Sequence, residues 1–66
     1  MMKITVNGKE WNALAGTTIA DLIGRFKISP RACAVEINGK IIKREKFTSL
    51  VKEGDVVEII RMMGGG

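Results

Sequence analysis

The sequence predicts an α+β fold, a mixed sheet of four to five strands with one main helix packed on one face. Three observations predict it. Stretches with a two-residue apolar period open and close the chain and recur in its middle. Asn-Gly, the strongest short signal for a tight hairpin, occurs at Asn7-Gly8 and again at Asn38-Gly39. Between those turns lies one stretch with the 3.6-residue period of an amphipathic helix.

Residues 2–7 alternate, with Met2, Ile4 and Val6 on one side and Lys3 and Thr5 on the other, as a half-buried strand requires. Asn7-Gly8 suits the type I′ turn, which needs positive φ at both central positions, and a second strand over about 9–14 completes a hairpin that Gly16 ends. Thr17-Thr18-Ile19-Ala20-Asp21 then offers a hydroxyl N-cap and an acid in the first helical turn, where the helix dipole favours negative charge. Ile19, Leu22, Ile23 and Phe26 form a single apolar stripe. Gly24 weakens this helix by up to about 1 kcal/mol relative to Ala, and Ser29-Pro30 prevents it from continuing.

From Ala32 the period returns to two: Cys33, Val35 and Ile37 face one way, Ala34 and Glu36 the other. Asn38-Gly39 turns the chain into Lys40-Ile41-Ile42. The echo between "TVNGKE" and "EINGKI" reads as two similar hairpin turns, since the match hardly extends beyond the turns themselves. A loop carrying Phe47, Leu50 and Val51 leads to the tight turn Lys52-Glu53-Gly54-Asp55 and a last strand, Val56–Ile60.

The order β-β-α-β-β-β describes the β-grasp, or ubiquitin-like, arrangement, with the first and last strands as central, parallel neighbours. That placement accounts for the apolar last strand. The helix covers only one face. If Val57 and Ile59 point toward it, Val56, Ile60 and Met62 lie together on the opposite face beside Glu58, as an interaction surface. The alternative is the reverse register, with the two faces exchanged.

At 66 residues the chain makes one domain, close to the size at which a single core only just sustains folding, which leaves little room for a deep active-site pocket. A single cysteine, Cys33, excludes an internal disulfide, and the absence of histidine excludes the usual zinc spacings and His-assisted nucleophiles. As a core position Cys33 reads as a small, inert hydrophobe. The opening MMKITVNGKEW has no apolar core for a signal peptide, and no segment approaches a membrane span of ~20 apolar residues. The expected location is cytoplasmic, with no membrane partner. The net charge of +4 is spread from Lys3 to Arg61, clustering only over Lys40–Lys46, so a solvated basic surface is favoured over nucleic-acid binding.

The stretches "MKITVNGKE", "GTTIADLI", "VEINGKIIKREKF", "EGD" and "VVEII", followed by Gly-Gly reached through two apolar residues, together resemble the ThiS/MoaD family of ubiquitin-like sulfur carriers over essentially the whole chain. Lys43 departs from the pattern, standing where that family often has proline. The resemblance to the thiamin-pathway side of the family implies a 1–61 β-grasp domain and a flexible 62–66 tail. It implies that a ThiF/MoeB-like enzyme adenylates the carboxylate of Gly66 with ATP. A persulfide donor then converts it to a thiocarboxylate, whose sulfur passes to a ThiG-like thiazole synthase. The chain itself would be a carrier, neither an enzyme nor the holder of a cofactor. Gly64 and Gly65 would supply clearance, because a chain without Cβ atoms can thread a narrow channel. Met62 and Met63, with Ile60 and Val56, would dock the partner. Alternatives are a MoaD-like carrier for molybdopterin or tRNA thiolation, a ubiquitin-like modifier joined to target lysines, and a small basic RNA-binding module.

Overall fold

Among the described residues there are five strands and one α-helix, in the order β1 (Met2–Val6), β2 (Lys9–Ala13), α1 (Ile19–Arg25), β3 (Cys33–Ile37), β4 (Lys40–Ile42) and β5 (Val56–Arg61), with single 3₁₀ turns at Pro30–Ala32 and Arg44–Lys46. The structure is a computed structural model and describes residues 1–62. The sheet order is β2-β1-β5-β3-β4. β1 and β5 are parallel, and every other pair is antiparallel. This is the predicted β-grasp, with the first and last strands side by side at the centre.

Both Asn-Gly turns form as expected, with Asn7 at φ 49°, Gly8 at 83°, Asn38 at 54° and Gly39 at 85°. The helix begins at a capping box: Thr18 Oγ1 accepts from the Asp21 N–H at 3.0 Å, and the Asp21 carboxylate accepts from the Thr18 N–H at 3.0 Å. It ends earlier than its apolar stripe suggests. Lys27 adopts φ 57°, its N–H donates to the Gly24 carbonyl and the Ile28 N–H donates to the Ile23 carbonyl. That is a Schellman ending with lysine in the position glycine usually takes. Phe26 becomes the C-cap, and its ring meets Trp11 of β2 edge-on, with centroids 4.9 Å apart.

Ile19, Leu22 and Ile23 of α1 lie over Ile4 and Val6 of β1, Cys33 and Val35 of β3, and Val57 and Ile59 of β5, joined by Phe47 and Val51 from the long loop. The loop is tied to the helix start by backbone bonds: Ile19 N–H donates to Ser49 O and Ala20 N–H to Phe47 O. The buried set settles the register left open by the sequence. Val57 and Ile59 face the helix, and Val56, Ile60 and Met62 face away.

Candidate functional site

β1 pairs with β5 only through Thr5 and Val6 before the chain turns away at Asn7. The Asn7 side chain then takes over: its Oδ1 accepts from the Ile59 N–H at 2.7 Å and its Nδ2 donates to the Ile59 carbonyl at 3.3 Å. An amide has the donor and acceptor of a peptide group, so Asn7 continues the ladder where the β1 backbone stops. Asn38 does the corresponding work on the other side, its Oδ1 accepting from the Val56 N–H at 2.9 Å and its Nδ2 donating to Asp55 at 3.1 Å. The sequence echo therefore marks two matching clamps, one on each side of β5. Their side-chain role is invisible in the turn propensity that drew attention to them.

Held this way, β5 runs antiparallel to β3 from Val57 to Arg61. The Met62 N–H donates to the Ala32 carbonyl at 2.8 Å, carrying the attachment one residue past the strand. Met62 is thus the anchored root from which the chain continues. Met63, Gly64, Gly65 and Gly66 lie outside the described residues.

The face of β5 turned away from the helix carries Val56 at 47% exposure, Ile60 at 50% and Met62 at 58%. Exposure of this size in Val56 and Ile60 of the strand and Met62 just past it gives one face an apolar strip, broken by Glu58, that leads to the root of the tail. Ile41, at 73%, is exposed on the same face of the sheet but sits on β4 beyond Glu36, apart from the strip. Glu58 interrupts the strip and lies directly opposite Glu36 in the β3–β5 register, a juxtaposition of like charges that strand pairing ordinarily disfavours. The sequence placed Glu58 beside the strip, but not its pairing with Glu36, which depends on a register that only the fold reveals.

Cys33 and Asp21 have structural duties of their own. Cys33 is buried, its thiol is pushed up by desolvation, and its Sγ lies 3.9 Å from the Pro30 carbonyl. A raised thiol pKa means little thiolate near neutral pH, hence little nucleophilicity. The Asp21 carboxyl is held below its ordinary value by the backbone and side-chain hydrogen bonds of Thr18, as a cap should be. Among the described residues no group of His, Cys, Asp and Glu could hold a metal ion, and no helix is long and apolar enough to cross a membrane.

The sequence profile of the ThiS family matches residues 3–66. The chain belongs to the ThiS family. The crystal structure of the thiamine biosynthesis protein ThiS from Geobacter metallireducens superposes with a TM-score of 0.80 at 36% identity, covering 98% of this chain and 100% of that one. The sulfur carrier protein ThiS of Bacillus subtilis is 33% identical, covering 96% of this chain and 98% of that protein. A thiazole synthase of Paramagnetospirillum magneticum is 36% identical over 66 residues, and there this ThiS-family chain spans 98% of itself but only 20% of the larger protein. At the departure from the family pattern, Lys43, the backbone keeps a proline-like conformation: its φ of −70° and ψ of 150° are values proline adopts without strain.

Proposed function

We propose that this chain serves thiamine biosynthesis as a sulfur carrier, with the carboxylate of Gly66 as the group that is charged and discharged. The observation that carries the reading is the course of β5. It runs through the centre of the sheet, presents Val56, Ile60 and Met62 on the open face, and is fixed to Ala32 at Met62, immediately before Met63-Gly64-Gly65-Gly66. The four residues beyond Met62 can reach at most about 14 Å when extended. A partner seated on the open face would therefore find the terminal carboxylate within reach of its own catalytic groups.

A carboxylate with a pKa of about 3.5 is ionised at neutral pH and is a poor electrophile. In this reading a ThiF/MoeB-like enzyme supplies ATP. A Gly66 oxygen attacks the α-phosphorus, pyrophosphate leaves, and the carbonyl becomes an acyl adenylate. The terminal sulfur of a persulfide donor attacks the acyl carbonyl and displaces AMP, forming an acyl disulfide. A second thiol then cleaves its S–S bond, leaving as a disulfide with the donor sulfur and freeing the thiocarboxylate, which a ThiG-like thiazole synthase consumes. Gly64 and Gly65 contribute clearance, Met62 and Met63 the docking handle, and the chain acts in the cytoplasm as a co-substrate that catalyses nothing itself. The synthase as recipient is supported by the thiazole synthase that includes a segment similar to this whole chain.

Intact-mass analysis of the chain after incubation with the adenylating enzyme, ATP and a sulfur source tests this. Exchange of one oxygen for sulfur is the expected outcome. Larger species carrying peptide from another protein would instead establish a modifier, and an unchanged mass with cognate enzyme would refute both readings.

A further inference from the structure

The opposite end of the sheet from the tail holds a groove for which the carrier reading has no use. It is an open pocket of about 370 Å³ where β3 ends, β4 begins and α1 starts. Its apolar lining comes from Ile19, Ile37, Ile42 and Leu50, with the Leu50 side chain 55% exposed. Three exposed lysines, Lys40, Lys46 and Lys52, stand around it. The acid in the lining, Asp55, is already engaged, accepting from Asn38 Nδ2 at 3.1 Å and from the Lys52 N–H at 2.8 Å. Lys40 and Lys46, the two ends of the one basic cluster in the sequence, thus flank an aliphatic groove once folded.

We propose that this groove is a second docking site, one that takes an acidic segment of a protein partner. An aliphatic side chain of the partner sits against Ile19, Ile42 and Leu50, and its flanking carboxylates meet the lysines. Charge complementarity selects the occupant. Three cations against one internally bonded carboxylate call for an anionic partner, and the aliphatic lining calls for an apolar anchor between the charges. A nucleic acid fits poorly, because no aromatic side chain lines the groove for bases to stack on. A small molecule fits poorly too, because an open groove cannot enclose most of a ligand's surface as small-molecule sites do. The groove lies beside Asp55, where β5 begins, and the tail leaves after six residues of strand, about 20 Å away. Ile37 and Ile42 of the groove share the helix side of the sheet with Val57 and Val35, whereas Val56, Ile60 and Met62 lie on the other side, so both surfaces can be engaged at once.

The test is a titration of the isotope-labelled full chain with the capped peptide Glu-Glu-Leu-Leu-Glu-Glu, followed through backbone amide resonances. Shifts should concentrate over 37–42 and 46–55. Affinity should fall about 2- to 5-fold with Lys46→Gln or Lys52→Gln, the size of a rim charge contact, and about 5-fold with Leu50→Ser. All three side chains are exposed, so the variants should keep the parent spectrum elsewhere. Deleting Gly65-Gly66 should leave this binding intact, which separates it from the carrier role. The proposal is overturned by shifts centred on Val56 and Ile60, by equal affinity for the peptide with alanines replacing its leucines, by tighter binding of oligo-thymidylate at the same residues, or by no shifts at all.

Discussion

Replacing Asn7 with glycine should cost far more than a turn substitution ordinarily does. Glycine keeps the positive φ that the turn requires, so the backbone conformation is preserved. What is lost is the pair of bonds to Ile59, at 2.7 and 3.3 Å, in a partly buried position. Each is worth about 0.5–1.5 kcal/mol net, and together they come to about 2 kcal/mol. For a domain of this size about 2 kcal/mol corresponds to a fall in Tm of about 8–16 °C. Asn38→Gly is the control. It has the same φ and the same following glycine, but its bonds to Val56 and Asp55 are exposed to solvent, so about 0.5–1 kcal/mol is expected. Thermal and urea unfolding of the two variants gives the comparison, and hydrogen exchange at the Ile59 amide should accelerate in the first alone. A loss at Asn7 no greater than at Asn38 would refute the claim that its side chain extends the β1–β5 ladder.

The capping box carries a pH signature. The Asp21 carboxyl is lowered in the folded state, so its contribution is present above its ordinary value of 3.8 and is lost as pH falls through the folded value. The stability gap between the parent chain and Asp21→Asn should therefore shrink on acidification, and Thr18→Ala should cost about 1 kcal/mol by urea unfolding at neutral pH. Lys43→Pro should stabilise by about 0.4–1 kcal/mol, since the backbone is already proline-like and the preceding residue, Ile42, is in a strand; a lower Tm would show a strain not visible here. Ile60→Lys should leave stability within about 0.5 kcal/mol and, on the proposed carrier reading, slow adenylation by a ThiF/MoeB-like enzyme about 10-fold at sub-saturating carrier. An unchanged rate would remove the open face from the docking surface.

The elements were legible because local chemistry agrees with the global fold at almost every position. Alternation in β1 and β3, the capping threonine and the two Asn-Gly turns each point to the structure they form. The helix end was less so, because Lys27 occupies a left-handed position that the sequence rules reserve for glycine or asparagine. The register of β5 could not be read because apolar residues occupy both of its faces, Val56 and Ile60 outside against Val57 and Ile59 inside. Burial on one face is what normally fixes register in a sequence pattern. For the same reason the strip of Val56, Ile60 and Met62 remained one of two possibilities until the sheet was in view. The Asn7 and Asn38 clamps and the Glu36–Glu58 pairing depend on partners 17 to 52 positions away or on strand register, and no local rule contains either.

The central claim is that sulfur is carried on the main-chain carboxyl of Gly66 and on no side chain. Fragmentation of the intact, charged chain in a mass spectrometer locates it directly. The account predicts that one oxygen is exchanged for sulfur and that the change is confined to fragments containing Gly66, disappearing when Gly65-Gly66 is deleted while Tm stays within a few degrees, about the shift of 0.5 kcal/mol. Sulfur added on Cys33, or exchange that survives loss of those glycines, would contradict it.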